Sequence, residues 1–241
     1  MDYGDIAQVM VNSKELKKID NNIITLYHGS SHEVGQPVFG KGKVENDYGR
    51  GFYLTEDMGL AKEWAALYGA PGRCYLNTYQ LDISCLNIFR FNDEDHLQWL
   101  AVLLKHRKCG QIEDVDTEQV IDALDRLYVK KYVDLSKYDC AIGWRADDSY
   151  FSYVSDYVLG LTTKQKFIRA IKYGDLGEQF VLLSKKSFDS IKYIGSEELN
   201  YSIWRRKATE RDNKARNAYR VAKAIGPKPD VNQFVEEVKL L

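Results

Sequence analysis

The 241-residue sequence lacks much of what would place it quickly in a class. No stretch approaches the roughly 20 apolar residues needed to span a bilayer. The N-terminus, MDYGDIAQVMVNSKELKK, has no apolar signal core, so a soluble, cytoplasmic protein is expected. The four cysteines, Cys74, Cys85, Cys109 and Cys140, form no CxxC and no pair at metal-ligand spacing. Reduced, structural thiols are the simplest account of them. Histidine is equally scarce, at four residues. His28 and His32 are four apart, but HGSSH is a poor helix former, which argues against a zinc-binding helix pair. His96 and His106 fall on or beside helices among Leu and Lys and read as surface or structural residues. No internal repeat and no low-complexity tract is present. With 44% hydrophobic and 29% charged residues, disorder across the whole chain is also excluded.

What is present is unevenly distributed. The net charge is −1, but nine basic residues between Arg205 and Lys228 are opposed only by Glu210 and Asp212, which makes that stretch +7 and the remainder −8. Such a tail is either a surface for nucleic acid or an acidic protein, or a solvated helix lying against its own acidic domain, and the second is the simpler reading. Seventeen tyrosines point to half-buried rings with wet hydroxyls more than to a binding groove.

The pattern predicts a strand over Ile23–Tyr27 running into a loop at His28-Gly29-Ser30, then a long glycine-bearing loop over 31–49 of the kind that often serves a site. Arg50–Thr55 reads as a second short strand. It leads, with Thr55 or Asp57 as cap, into a helix carrying Leu60, Ala61, Trp64, Ala65 and Tyr68. A strand over Tyr75–Ile83 is followed by core-facing helices over 94–107 and 118–132. Further on come a buried strand at Tyr138–Gly143, a helix near 163–173, and an apolar strand Gln179–Leu183 with Ser190–Ile194 as its edge partner. From Glu197 a helix runs until Gly226-Pro227, and an amphipathic tail follows. Strands bracketing a helical middle suggest a mixed α+β domain rather than a regular parallel β/α sheet.

Three elements could carry chemistry. His28, at a strand end beside glycines, can make one directed hydrogen bond while the flat backbone lets a ligand approach; an ordinary loop histidine fits equally. Tyr53 alternates with Phe52 and Leu54, so its ring faces the loop side and can stack on a flat ring, or it is a core tyrosine with a satisfied hydroxyl. Glu178 and Gln179 stand at the mouth of the apolar strand and point to opposite faces. A carboxylate there could activate a nucleophile or stabilise a cation, whereas an amide could only hydrogen-bond.

In this order these elements resemble the ADP-ribosyltransferase superfamily, on the diphtheria-toxin and poly(ADP-ribose) polymerase side. More narrowly, the chain is similar to a bacterial, uncharacterised family within it. The segments that carry the resemblance are LYHGS, DYGRGFYLT followed by an AxxWA helix, YDCAIGWRADDSYF and LGEQFVLLS, from about Leu26 to Ile194. The resemblance implies a split β-sheet core over 23–196 with a helical middle insertion. An N-terminal helical extension (1–22) and a C-terminal basic helical tail (197–241) would flank it. NAD would be held as substrate in the cleft between two small antiparallel sheets. His28 would bond the adenosine ribose, Gly29 would clamp the nicotinamide amide by its backbone with Ser30 beside it, and Tyr53 would stack on nicotinamide.

The superfamily's late-strand glutamate is replaced here by Gln179, while Glu178 lies one residue early. Either Gln179 binds the ribose and another acid serves, or a bulge turns Glu178 inward. Asp147 and Asp148 are the candidates for that other acid, with Arg145 as a pyrophosphate or substrate contact. Asp-Asp-Ser is equally a good helix cap. The implied activity is transfer of ADP-ribose from NAD to a protein or nucleic acid, as in toxins and defence effectors held by a neutralising partner protein. The alternatives are an NAD glycohydrolase, or a non-catalytic module binding NAD or nucleic acid.

Overall fold

The computed structural model of the chain describes residues 18–20, 22–68, 72–92, 94–107, 112, 117–146, 151–173, 177–225 and 229–241. Its eight strands among these residues form two four-stranded sheets. The first is antiparallel throughout and joins β1 (Lys18–Asp20), β2 (Ile23–Ser30), β4 (Tyr75–Asp82) and β8 (Ile191–Glu198) in the order β1-β2-β4-β8. The second joins β3 (Phe52–Leu54), β7 (Glu178–Leu182), β6 (Cys140–Trp144) and β5 (Ile88–Arg90) in the order β3-β7-β6-β5, and only β5 and β6 run parallel. A single bridge, Tyr27 to Thr55, stitches the sheets together at one edge: Tyr27 N donates to Thr55 O at 2.8 Å and Thr55 N to Tyr27 O at 3.0 Å.

Period-2 alternation sorts the side chains into three apolar layers. Ile24 and Leu26 of β2, Tyr79 and Leu81 of β4, Leu54 of β3, Cys140 and Ile142 of β6, and Phe180 and Leu182 of β7 meet between the sheets. The intervening residues Ala141 and Val181 face the other way, into the largest core. Helices α2 (His96–His106), α3 (Glu118–Lys131), α4 (Phe151–Val158) and α5 (Lys164–Tyr173) build that core. There the Tyr157 and Phe167 rings stack at 4.6 Å. On the outer face of the first sheet, α1 (Met58–Tyr68) lays Ala61, Ala65 and Ala66 against Leu76 and Cys74. Asp57 is its cap, accepting from Leu60 N at 3.0 Å.

A mixed α+β protein is therefore what the sequence pattern anticipates; of the two antiparallel sheets that the resemblance implies, the second has one parallel pair, β5 and β6, and three boundaries or pairings differ. Strand β2 does not stop at Tyr27: it continues through His28, Gly29 and Ser30, because β4 offers a partner of equal length and pairs His28 with Asn77 and Ser30 with Tyr75. Ser190–Ile194 is not an edge of the apolar strand: both sides of β7 are taken by β3 and β6. The short helix α6 (Lys185–Asp189), capped by Ser184, carries the chain across to pair β8 with β4 instead. In the N-terminal segment Lys18–Asp20 is strand rather than helix; residues 1–17 lie outside the described ones.

The basic segment forms α7 (Tyr201–Ala224), capped by Asn200 and beginning four residues after the expected Glu197, since β8 still holds Glu197 and Glu198. The expected stop at Gly226-Pro227 falls outside the described residues. Helix α7 lies against its own domain. Arg211 pairs with Glu63 of α1 at 2.5 Å, and Lys223 and the Tyr219 hydroxyl both reach Asp156 at 2.6 Å. Ala215 and Tyr219, with Phe234, Val235 and Val238 of α8 (Gln233–Lys239), belong to the largest core.

Candidate functional site

Where the sheets part beyond the Tyr27–Thr55 bridge, a cleft of about 700 Å³ opens, lined by residues from both sheets and from the 31–51 loop. That volume lies within the range of small-molecule sites. His28, Gly29 and Ser30 enter it from the end of β2, Tyr53 from β3, Gln179 from β7, and Arg145 and Ala146 from the segment after β6. The expected imidazole, phenol ring and strand mouth thus share one cavity.

Each of these groups is held by a definable contact. The Nδ1–H of His28 donates to the Tyr53 carbonyl at 2.7 Å. A carbonyl only accepts, so this bond fixes the tautomer and leaves Nε2 as an acceptor. Burial pushes the His28 pKa down, with His32 adding a smaller like-charge effect, which keeps the ring neutral. The Tyr53 hydroxyl donates to Gly49 O at 2.7 Å and accepts from Tyr48 N at 3.0 Å, so the ring is clamped at its far end while it lines the cleft. Burial raises its pKa far beyond the neutral range.

Gly29 is required by packing: a Cβ there would lie 1.9 Å from Ala61 O and 2.5 Å from Ala65 N of α1. Backbone groups along a strand point alternately to its two edges. Tyr27 is bonded to Thr55 on the β3 side, so Gly29, two residues on, turns its N–H and C=O to that same side, where the cleft begins.

At the opposite wall Gln179 is 3% exposed, and its Nε2 donates to Asp47 Oδ2 at 2.9 Å and to Trp144 O at 3.2 Å. Asp47 also accepts from Ala146 N at 2.9 Å, and Arg107 Nε stands 3.7 Å from its Oδ1. Burial pushes the Asp47 carboxyl up; Ala146 N–H, Gln179, Arg107 and Arg145 pull it back in that order. Arg145, itself buried, stacks over Trp64 at 4.2 Å. Lys41 and Lys43 stand exposed at the rim.

One expected residue, Glu178, is not brought to the cleft. Glu178 pairs with Arg90 at 2.5 Å, and β7 and β6 stay in register through Gln179–Gly143 and Glu178–Trp144, so there is no bulge to turn Glu178 inward and strand alternation sends it away. Asp147 and Asp148 lie outside the described residues. His96 is structural, donating to Glu237 at 3.1 Å. Asp47 is the acid that sequence reasoning missed. Its only signal was a place in DYGRGFYLT, beside glycines that already marked the loop.

Fold and site together define an α+β protein with a two-sheet cleft walled by one neutral imidazole, one clamped tyrosine and one carboxylate-bound glutamine. Residues 24–193 match the model of the family DUF3990, described as a protein of unknown function, and the chain belongs to that family. The matched span contains every cleft residue named above and stops short of α7 and α8. A comparison with curated proteins returns no match, and a comparison with solved structures returns none.

Proposed function

We propose that the cleft binds NAD and that the protein transfers the ADP-ribose unit from it to a macromolecular acceptor. The observation that carries this reading is the convergence of His28, Tyr53 and Gln179, far apart in sequence, on one cavity that also holds cationic groups. The clamped Tyr53 ring suits stacking on nicotinamide, and the Gly29 edge suits a carboxamide, which needs one donor and one acceptor. The Nε2 of His28 suits a ribose hydroxyl. Arg107, Arg145, Lys41 and Lys43 suit the pyrophosphate.

In the reaction the C1′–N bond of the nicotinamide riboside breaks and its electron pair leaves with nicotinamide, which departs neutral. Positive charge develops on C1′ and the ring oxygen. The acceptor then supplies an electron pair to C1′ and loses its proton. The amide dipole of Gln179 and the charge of Asp47 behind it are suited to that cationic state, in a cavity where such fields are weakly screened. An amide takes no proton, so Gln179 does not activate the acceptor; its role is to bind and orient.

A second reading draws on the same residue. A glutamine where a carboxylate would act as base also suits a module that holds NAD without turnover. Calorimetry with NAD on the wild type, His28→Ala and Tyr53→Ala tests the site, and both variants should weaken binding about tenfold or more. Incubation of cell lysate with NAD labelled in the adenylate part separates the outcomes. Label on protein or nucleic acid supports transfer, free ADP-ribose indicates a glycohydrolase, and bound but intact NAD indicates the module. Unchanged affinity in both variants ends the assignment.

A further inference from the structure

Asp47 is a carboxylate 5% exposed in a cleft whose other lining carboxylate, Glu45, stands exposed, and the three apolar layers of the fold do not include it. Burying an ionisable group costs several kcal/mol unless it is paired and hydrogen-bonded, so its partners indicate what it is for. The Oδ2 atom accepts two hydrogen bonds at 2.9 Å, one from Ala146 N and one from Gln179 Nε2. The same Nε2 donates to Trp144 O at 3.2 Å.

Asp47 and the Trp144 carbonyl can only accept when the carboxyl is ionised, and the –NH₂ of a glutamine amide has two protons. Both are therefore directed into the wall. The reversed amide would set Oε1 against two acceptor oxygens, so the orientation is dictated by the partners. A neutral acceptor could hold the amide as well, but a charge-assisted bond is roughly twice as strong. Arg107, 3.7 Å from the other carboxylate oxygen, offsets the cost of the charge.

We infer that Asp47 is the positioning residue for Gln179, fixing its amide so that the oxygen, and not the nitrogen, is what the cleft offers a ligand. A glutamine held this way presents the acceptor edge of a carboxylate without the proton-accepting ability of one. This deepens the NAD reading, because the donor that meets the oxygen is then a hydroxyl of the ribose next to nicotinamide. The orientation itself does not depend on which ligand binds.

The test therefore has one arm without substrate and one with it. In ¹⁵N-glutamine-labelled protein, the side-chain amide signal lost in Gln179→Ala identifies Gln179. Its two protons should exchange with solvent at least about tenfold more slowly than those of exposed glutamines, since both are bonded in a buried wall. Asp47→Ala should abolish that protection, and Asp47→Asn, whose Oδ1 can still accept, should keep most of it. Should Asp47→Ala not fold, the comparison of Asp47→Asn with wild type, and the wild-type exchange itself, still decide. Fast exchange in the wild type, or protection unmoved by Asp47→Ala, overturns the inference.

In the second arm, nicotinamide release is followed in a double-mutant cycle. Asp47→Ala and Gln179→Ala should each lower kcat more than they raise KM, and the double variant should be no slower than Gln179→Ala alone. Additive losses would mean that Asp47 acts on the substrate directly. No release from wild type would defeat the NAD reading and leave the exchange arm to judge Asp47.

Discussion

An imidazole whose Nδ1–H is taken by a main-chain carbonyl can, while neutral, do one thing for a ligand: accept a hydrogen bond at Nε2. His28 is in that state because Tyr53 O lies 2.7 Å from Nδ1 and because burial holds its pKa below the ordinary value of 6.5. Protonation turns Nε2 into a donor and costs the ligand its acceptor. With the folded pKa lowered, that loss sets in only below the usual histidine range. NAD affinity measured by calorimetry should be flat above about pH 6.5 and fall as the pH drops below it, with the slope absent in His28→Ala. A slope that persists in the variant would assign the titration elsewhere. His28, Tyr53 and Gln179 could be singled out in the sequence because each is a distinctive side chain in a short β-prone segment, beside glycines or at the mouth of an apolar run. Asp47 was not legible: an aspartate in a polar loop looks solvated, and only the fold shows that the loop turns it inward against β7 and the segment after β6.

Strand β2 shows why some boundaries were legible and others were not. Its alternation is strong from Ile24 to Leu26, with every second residue buried, and that part reads directly as strand. From Tyr27 onward the pattern fades to intermediate exposure and Gly29 looks like a loop residue, although the strand continues. The glycine is there for α1: with Ala61 and Ala65, it lets helix and strand approach until a single Cβ would overlap main-chain atoms. Because those atoms are backbone, relief requires moving the whole helix. Gly29→Ala should therefore cost about 3 kcal/mol, at the upper end of overpacking substitutions, read as a fall in the urea midpoint at unchanged m. A loss under about 1 kcal/mol would mean that α1 rides higher on β2. The β8 expectation failed for a related reason. Alternation over Ser190–Ile194 marks a strand but not its partner, and that choice was made by α6, which carries the chain from one sheet to the other.

At the scale of the molecule, the residues that match the family end at 193, yet the largest core continues into α7 and α8. The clearest tie is Glu237 of α8. It accepts from the Tyr157 hydroxyl at 2.5 Å and from His96 Nε2 at 3.1 Å, and it pairs with Lys164. One carboxylate thus fastens the last helix to α2, α4 and α5. Those donors outweigh burial and pull the Glu237 pKa down to about 2 from an ordinary 4.5. A carboxylate with a depressed folded pKa contributes stability that is fully present above its unfolded value and is lost as the pH falls through the folded one. The window is therefore about pH 4.5 down to 2. Glu237→Gln removes the charge but keeps a side chain of the same shape, so at pH 7 it should be less stable by about 2 kcal/mol, the worth of hydrogen bonds to a charged group. The difference should shrink as the wild type loses its own advantage across that window. Thermal unfolding of both proteins between pH 7 and 2.5 measures it directly. Two curves that stay parallel across the whole range would show that the Glu237 carboxyl titrates alike in the folded and unfolded chain, and that its hydrogen bonds add nothing through its charge.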